Sequence, residues 1–243
     1  MPHHPNVITP AGTPLNQRTV GELVAERPGR SRVFQSFAID FCCQGGLTLE
    51  AACAKKGVAL ESVVEQLEAE ANSPAAPTTN PAELPPHELA AYIEEKHHGF
   101  LKQELPRIHA MSHRVAQVHG PHTPSLVEVF QVFCGLAEEM VEHMQKEEAV
   151  IFPAIAAMSR GEAGIGSLDA PLTCLIHEHE ATGQALARLR ELTNAYQPPV
   201  EACNTYRALF AGLADLEEDM QRHIHLENSV LFPAGERLAA TAA

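Results

Sequence analysis

The sequence predicts an all-α protein: a small helical N-terminal domain, a linker, and an up-down-up-down four-helix bundle. Three observations predict it. Apolar residues recur at helical spacing along most of the chain, and strand-type alternation is scarce. A stretch rich in Pro, Ala and Thr, NSPAAPTTNPAELPP at 72–86, separates a short first part from a long second part. The long part divides into four extended amphipathic segments with fairly short connections, the pattern of a bundle.

The elements follow in order. Residues 1–17 carry prolines and few apolar anchors and read as a disordered N-terminus. Residues 18–71 form the small domain. TVGELVAERPG opens on a Thr19 N-cap and stops at Pro28-Gly29, and RSRVFQSFAI is a second short helix. DFCCQGG is a turn whose paired glycines permit unusual backbone angles. TLEAACAKKG starts at a Thr48 cap and ends at Gly57, and VALESVVEQLEAEA makes one more helix. The linker is 72–86 and the bundle 87–240. Its segments run from about His87 to His119, bent at Pro106, then Ser125 to Met158, Leu172 to Tyr196, and Glu201 to Leu238. SRGEAGIGSLDAP and QPP break the second and third.

Composition narrows the function. A chain of 243 residues has ample material for a core. The formal net charge of −14, with no basic cluster, opposes binding to nucleic acid and to anionic membranes. No apolar run is long enough to span a bilayer, and the start lacks the pattern of a signal peptide, so a cytoplasmic location is expected. Six cysteines are scattered without a CxxC pair, which leaves structural zinc unsupported. Cys42-Cys43 is the one adjacent pair; Cys53, Cys134, Cys174 and Cys203 read as core residues. Fourteen histidines are many for this length.

An internal repeat carries the chemistry. HMQKEEAVIFP, 143–153, returns as HIHLENSVLFP, 223–233. His143 and Glu147 align with His223 and Glu227 at an offset of 80 (223 − 143), and His98 aligns with His179 at 81 (179 − 98). Positions i and i+4 lie one above the other on a helix. Each half therefore offers a helix with one His, then a helix with a His and a Glu on one face. A single His-x3-Glu is usually a solvated face, and a lone His usually a satisfied one. Two copies at one offset, each followed by apolar-Phe-Pro, are a site. Four imidazoles and two carboxylates in a core would each be costly without partners. A pair of cations resolves that cost, with the carboxylates bridging and the imidazoles capping. Imidazole with carboxylate and open positions suits iron. Ferritin-like helices use Glu-x-x-His instead, no HExxH is present, and a haem would leave the glutamates unexplained. His97, His109, His113, His122, His177 and His225 are expected to be structural or exposed. Glu139 and Asp219, one turn before His143 and His223, and His119 are candidates for supporting the ligands.

These residues resemble the hemerythrin-like fold. They depart from oxygen-carrying hemerythrins at His179, whose i+4 position is Gly183 where a second imidazole is typical. IDFCCQGGLTLEAAC, DMQRHIHLENSVLFP and PPVEACNTY extend the resemblance, from about Thr13 to Leu238, to the repair-of-iron-centres family, di-iron proteins that repair iron–sulfur clusters after nitrosative and oxidative stress. The resemblance implies two non-haem irons, oxo- and carboxylate-bridged, on His98, His143, Glu147, His179, His223 and Glu227, with the two glutamates as bridges. It implies damaged iron–sulfur proteins as partners and iron donation or mobilisation as the activity. Cys42 and Cys43 are the candidate reactive thiols, against a reading as two small buried hydrophobes. Two other readings stay open: a di-iron nitric oxide reductase, and a sensor that binds nitric oxide or oxygen. Whether the protein is an enzyme, and whether it is a homodimer, are left open.

Overall fold

The computed structural model describes residues 12–72, 80–162 and 167–242. The expected disorder of 1–17 and the linker 72–86 lie largely outside those residues. What is described of them is a 3-10 turn at Leu15–Gln17 and another at Pro81–Glu83, capped by the Asn80 side chain. Among the described residues the only β pairing is an isolated antiparallel bridge between Thr19 and Thr48.

The small domain has four helices: α1 Val20–Glu26, α2 Arg30–Ser36, α3 Leu49–Lys56 and α4 Leu60–Asn72. Thr19 caps α1 in a full capping box with Glu22, and Thr48 caps α3 by accepting from the Ala51 N–H. Gly57 ends α3 at φ +71°, where a side chain would be strained. Gly45 and Gly46 adopt no left-handed conformation, contrary to expectation. Gly45 is needed for close approach instead. A Cβ there would lie 2.9 Å from the Phe41 carbonyl oxygen and 3.0 Å from Ser229 Oγ on the bundle.

The bundle's helices are interrupted. The first is α5 Pro86–Ile93 and α6 Gly99–His119; the second is α7 Ser125–Lys146 and α8 Phe152–Ser159; the third is α9 Asp169–Leu192; the fourth is α10 Asn204–Leu226 and α11 Phe232–Ala242. Three π-helical turns join the split pairs: Glu94–His98, Glu147–Ile151 and Glu227–Leu231. Neither Phe-Pro is an ending. Each helix passes through a widened turn and continues, with proline in the first turn beyond, where its missing N–H is tolerated. Helix α6 runs on through Pro106. Helix α9 stops at Leu192, short of Tyr196, in a left-handed turn at Asn194, Ala195 and Tyr196 (φ 49°, 53°, 60°). Thr193 Oγ1 holds that turn by accepting from the Tyr196 N–H at 3.1 Å.

The apolar core forms two clusters. The larger joins the small domain to α6, α7, α9 and α10, and includes Phe34, Phe41, Leu101, Phe133, Met140, Leu186 and Met220. The smaller lies beyond the π turns and includes Ile93, Phe152, Ile155, Leu172, Leu231 and Phe232. A buried polar layer lies where the two meet. No helix of the described residues is long and apolar enough to cross a membrane.

Candidate metal centre

The polar layer consists of the six residues singled out by the repeat. His98, His143, Glu147, His179, His223 and Glu227 are each no more than 1% exposed. They form two overlapping groups: His98, His223, Glu147 and Glu227, and His143, His179, Glu147 and Glu227. Within each group the ligand-capable atoms all lie within 4.8 Å of one another. Both carboxylates belong to both groups. Glu147 reaches His98 Nε2 at 3.3 Å with one oxygen and His143 Nε2 at 3.4 Å with the other. Glu227 reaches His223 Nε2 at 2.8 Å and His179 Nε2 at 3.2 Å in the same manner.

The outward ring nitrogens decide what the inward ones can do. His98 Nδ1 donates to Glu148 Oε1 at 2.7 Å, His143 Nδ1 to Glu178 Oε2 at 2.8 Å, and His179 Nδ1 to Asn228 Oδ1 at 2.9 Å. An ionised carboxylate only accepts, so the Nδ1 of His98 and of His143 carries a proton and the Nε2 lone pair faces the centre. Lys102 and Lys146 neutralise Glu148 and Glu178 on the solvent side. His223 differs. Its Nδ1 has no hydrogen-bond partner among the described residues, and its ring stacks on His97 at 5.3 Å and 6°. His97 Nδ1 is in turn 3.0 Å from Asp219 Oδ1.

Facing inward, His98 Nε2, both oxygens of Glu147 and Glu227 Oε2 are buried without a hydrogen-bond partner. Orphaned buried acceptors in such a cluster are the donor set of a cation, and the residues fit a pair of them. Without a cation the charges still perturb each other. Burial depresses His143, but the adjacent Glu147 carboxylate more than reverses this, to about 9. His98 is raised against burial by its contact with Glu147. Burial wins at His223, which is lowered. Burial would raise Glu227, yet His223 and His179 hold it well below the usual carboxylate range. Burial is likewise overcome at Glu178, where Lys146 and His143 bring the carboxyl down to about 2.

Residues expected to support the ligands fall elsewhere. Glu139 is exposed and takes no part in these hydrogen bonds. Asp219 acts on His97 rather than on its own helix's ligand. His119, 21 positions after His98 (119 − 98), sits roughly 30 Å away along the helix, beside Cys203 Sγ at 3.4 Å and against Tyr206. His97 and His225 are buried. His225 packs edge-on against Phe41 at 5.7 Å, where burial lowers it to about 4.

Glu148, Glu178, His97 and Asn228 were missed, yet the repeat holds their signal. Glu148 and Asn228 are 80 apart (228 − 148), and each accepts from the single His of the preceding helix. Glu178 and His97 are 81 apart (178 − 97). Glu178 bonds the His of one His-x3-Glu pair, while His97 only stacks on the other. That substitution is why His223 lacks an acceptor.

The cysteine pair lies against this layer. Cys42 is buried and Cys43 half-buried, with the sulfurs 3.7 Å apart. Asp40 Oδ1 accepts from the N–H of both. Cys43 Sγ donates to the His179 carbonyl at 3.3 Å. Contact with Cys43, then burial and Asp40, push the Cys42 thiol well up, so it is a neutral thiol rather than an exposed thiolate. A cleft of about 440 Å³ between the small domain and the bundle is lined by Asp40, Cys42, Cys43 and Gly183. Cys53 is buried and Cys134 half-buried, but Cys174 and Cys203 are exposed, correcting their assignment to the core.

A two-part cation site inside an interrupted four-helix bundle defines a class, and comparison with known proteins agrees. The family described as the hemerythrin HHE cation-binding domain matches residues 89–234, and a domain of unknown function (DUF542) matches 16–71. This is a hemerythrin-type cation-binding protein.

The iron-sulfur cluster repair protein ScdA of Staphylococcus haemolyticus is 35% identical over 217 residues, 89% of this chain and 97% of the relative. The iron-sulfur cluster repair proteins YtfE of Musicola paradisiaca and Edwardsiella ictaluri are 34% and 36% identical, across 91% and 89% of this chain and 97% and 95% of theirs. The chain belongs to this family of iron–sulfur cluster repair proteins.

Proposed function

We propose that this protein repairs damaged iron–sulfur clusters with iron drawn from a di-iron centre on His98, His143, Glu147, His179, His223 and Glu227. The observation that carries the reading is the sharing of both carboxylates between two ligand groups, four of whose inward atoms lack hydrogen-bond partners. The names of its relatives support the repair role. His98 and His223 would hold one iron and His143 and His179 the other, with Glu147 and Glu227 shared between them in an oxo- and carboxylate-bridged pair. Bound iron supplies exchangeable ferrous ions, held by nitrogen and oxygen donors less firmly than by the thiolates of a cluster.

The chain's own residues set the terms of transfer. Glu148, Glu178 and Asn228 keep the Nε2 lone pairs aimed inward. The two apolar clusters exclude water from both sides of the layer. The cleft at Cys43 leads toward the helix turn of His179, and we assign it as the path by which iron leaves and by which nitric oxide or oxygen reaches the centre. Cys42 and Cys43 stand on that path as the candidate thiols. The setting we assign is the cytoplasm and the partners are damaged iron–sulfur proteins.

Iron-loaded protein, added to an extract whose iron–sulfur enzymes have been damaged with nitric oxide, is expected to restore aconitase-type activity. About two irons per chain are expected before the reaction and fewer after it. Stoichiometric zinc in protein prepared with iron available, or repair without any loss of iron, overturns the reading.

A further inference from the structure

The two halves of the repeat close the centre differently. In the first half, Lys102 pairs with Glu148, and Glu148 holds His98. The equivalent positions of the second half are Gly183, 81 after Lys102 (183 − 102), and Asn228, 80 after Glu148. A lysine–glutamate lock has been replaced by a glycine and a neutral amide. The Cys42-Cys43 loop occupies the space. A Cβ on Gly183 would lie 3.2 Å from Cys43 Sγ, tighter than ordinary contact.

Asn228 has two partners. Its Oδ1 accepts from His179 Nδ1 at 2.9 Å, and its Nδ2 donates to the Cys42 carbonyl at 3.1 Å. A carbonyl only accepts, so the Cys42 oxygen fixes which end of the amide faces it. That choice turns Oδ1 toward His179, puts the proton on His179 Nδ1, and leaves the Nε2 lone pair for a metal. With the loop away, no other hydrogen bond among the described residues holds the amide in that orientation, and the reversed amide would present N–H to N–H.

We propose that Asn228 is a positioning residue that couples seating of the Cys42-Cys43 loop to metal retention on the His143–His179 side of the centre. The proposal rests on the reading of that centre as an iron site. Coupling of this kind is reciprocal: a seated loop strengthens metal binding, and bound metal strengthens seating of the loop.

The full chain, loaded anaerobically with ferrous iron, tests this by two rates. One is transfer of iron to a ferrous chelator. The other is alkylation of Cys43 by iodoacetamide, located by mass spectrometry, with and without iron. In the parent protein, iron should slow alkylation. Asn228→Ala should speed iron release about 10- to 100-fold, the usual effect of losing a partner of a metal-bound imidazole, and alkylation should no longer respond to iron. Asn228→Asp keeps an acceptor for His179 in either orientation and loses the donor to Cys42. It should alkylate fast yet release iron near the parent rate. Gly183→Leu displaces the loop with Asn228 intact, and should speed both rates about tenfold.

Rapid alkylation of Gly183→Leu with parent-like iron release overturns the coupling, as does parent-like release from Asn228→Ala. A parent protein that takes up no iron overturns the metal reading and the coupling with it, so the two failures are told apart by the parent alone.

Discussion

Replacing Glu147 with leucine should remove both metals at once and destabilise the metal-free protein. Glu147 is fully buried, and neither carboxylate oxygen has a hydrogen bond. Its neighbours His98 and His143 owe their raised proton affinity to it and also to Glu227, Glu148 and Glu178, so removing it leaves two buried imidazoles one carboxylate short. Removing one partner of a buried charged pair costs about 3–5 kcal/mol, because the other partner stays buried; only exchange of the whole pair for apolar groups is neutral or stabilising. In a domain of this size 1 kcal/mol moves the melting temperature by about 2–4 °C. The metal-free variant should therefore melt roughly 6–20 °C lower than the parent.

Iron widens the gap. Ligand at 100 times its dissociation constant adds about 2.7 kcal/mol to the parent, or roughly 5–11 °C. Since Glu147 belongs to both ligand groups, the variant should show neither that rise nor a residual single-iron site. His98→Leu, by contrast, disables one group and should leave the other partly filled. Anaerobic iron titration followed by calorimetry reads both quantities. A Glu147→Leu protein that keeps one iron per chain at parent affinity would refute the sharing of this carboxylate. An unchanged or raised metal-free melting temperature would refute the account of its burial.

Three further outcomes follow from the same geometry. Glu178→Ala should weaken iron binding about 10- to 100-fold by freeing His143 Nδ1, and should cost the metal-free protein about 1–3 kcal/mol by leaving that buried N–H without an acceptor; equilibrium competition with a chelator and thermal melts separate the two. Acid should loosen the small domain through His225, whose folded value of about 4 lies below the unfolded value of about 6.5. Its stabilising contribution is full above pH 6.5 and declines as pH falls toward 4, because only the unfolded chain binds the proton, a loss of about 3 kcal/mol. His225→Phe should flatten that window in denaturant titrations at stepped pH. Gly45→Val should cost about 1–3 kcal/mol by forcing Phe41 and Ser229 apart, and faster hydrogen exchange across residues 40–46 should report it.

The clustering of the six residues was legible because one physical rule, the stacking of i and i+4 on a helix, applied twice at one offset. The fold was legible from the same periodicity, and Thr19, Thr48 and Gly57 punctuate their helices as their side chains dictate. The π turns were not. EEAVI and ENSVL are ordinary helical sequences, and each widened turn opens at the glutamate that reaches two imidazoles. Glu139 looked supportive because periodicity places it above its own helix's ligand. The outer nitrogen of each ring is instead met by a neighbouring helix, so the acids that matter, Glu148 and Glu178, were visible only through the repeat's offset. The left-handed turn at 194–196 has only Asn194 to announce it; Ala195 and Tyr196 are carried into it by tertiary packing.

The repeat is also where symmetry fails, and the failures fall in a useful pattern. Each ligand group has one imidazole backed by a carboxylate, His98 by Glu148 and His143 by Glu178. Each has one backed weakly: His223 by ring stacking alone, and His179 by an amide whose orientation depends on another domain. A carboxylate behind an imidazole raises its basicity and fixes its aim. A centre built only to keep its metals would place one behind all four. In the centre proposed above, each metal position would have a firm ligand to locate the ion and a softer one to let go. The softer ligand nearest the cleft is the one tied to the Cys42-Cys43 loop. Such a division suits iron that is cargo, since departure then needs only one weak contact to open while its firm partner keeps the emptied site in shape for the next ion.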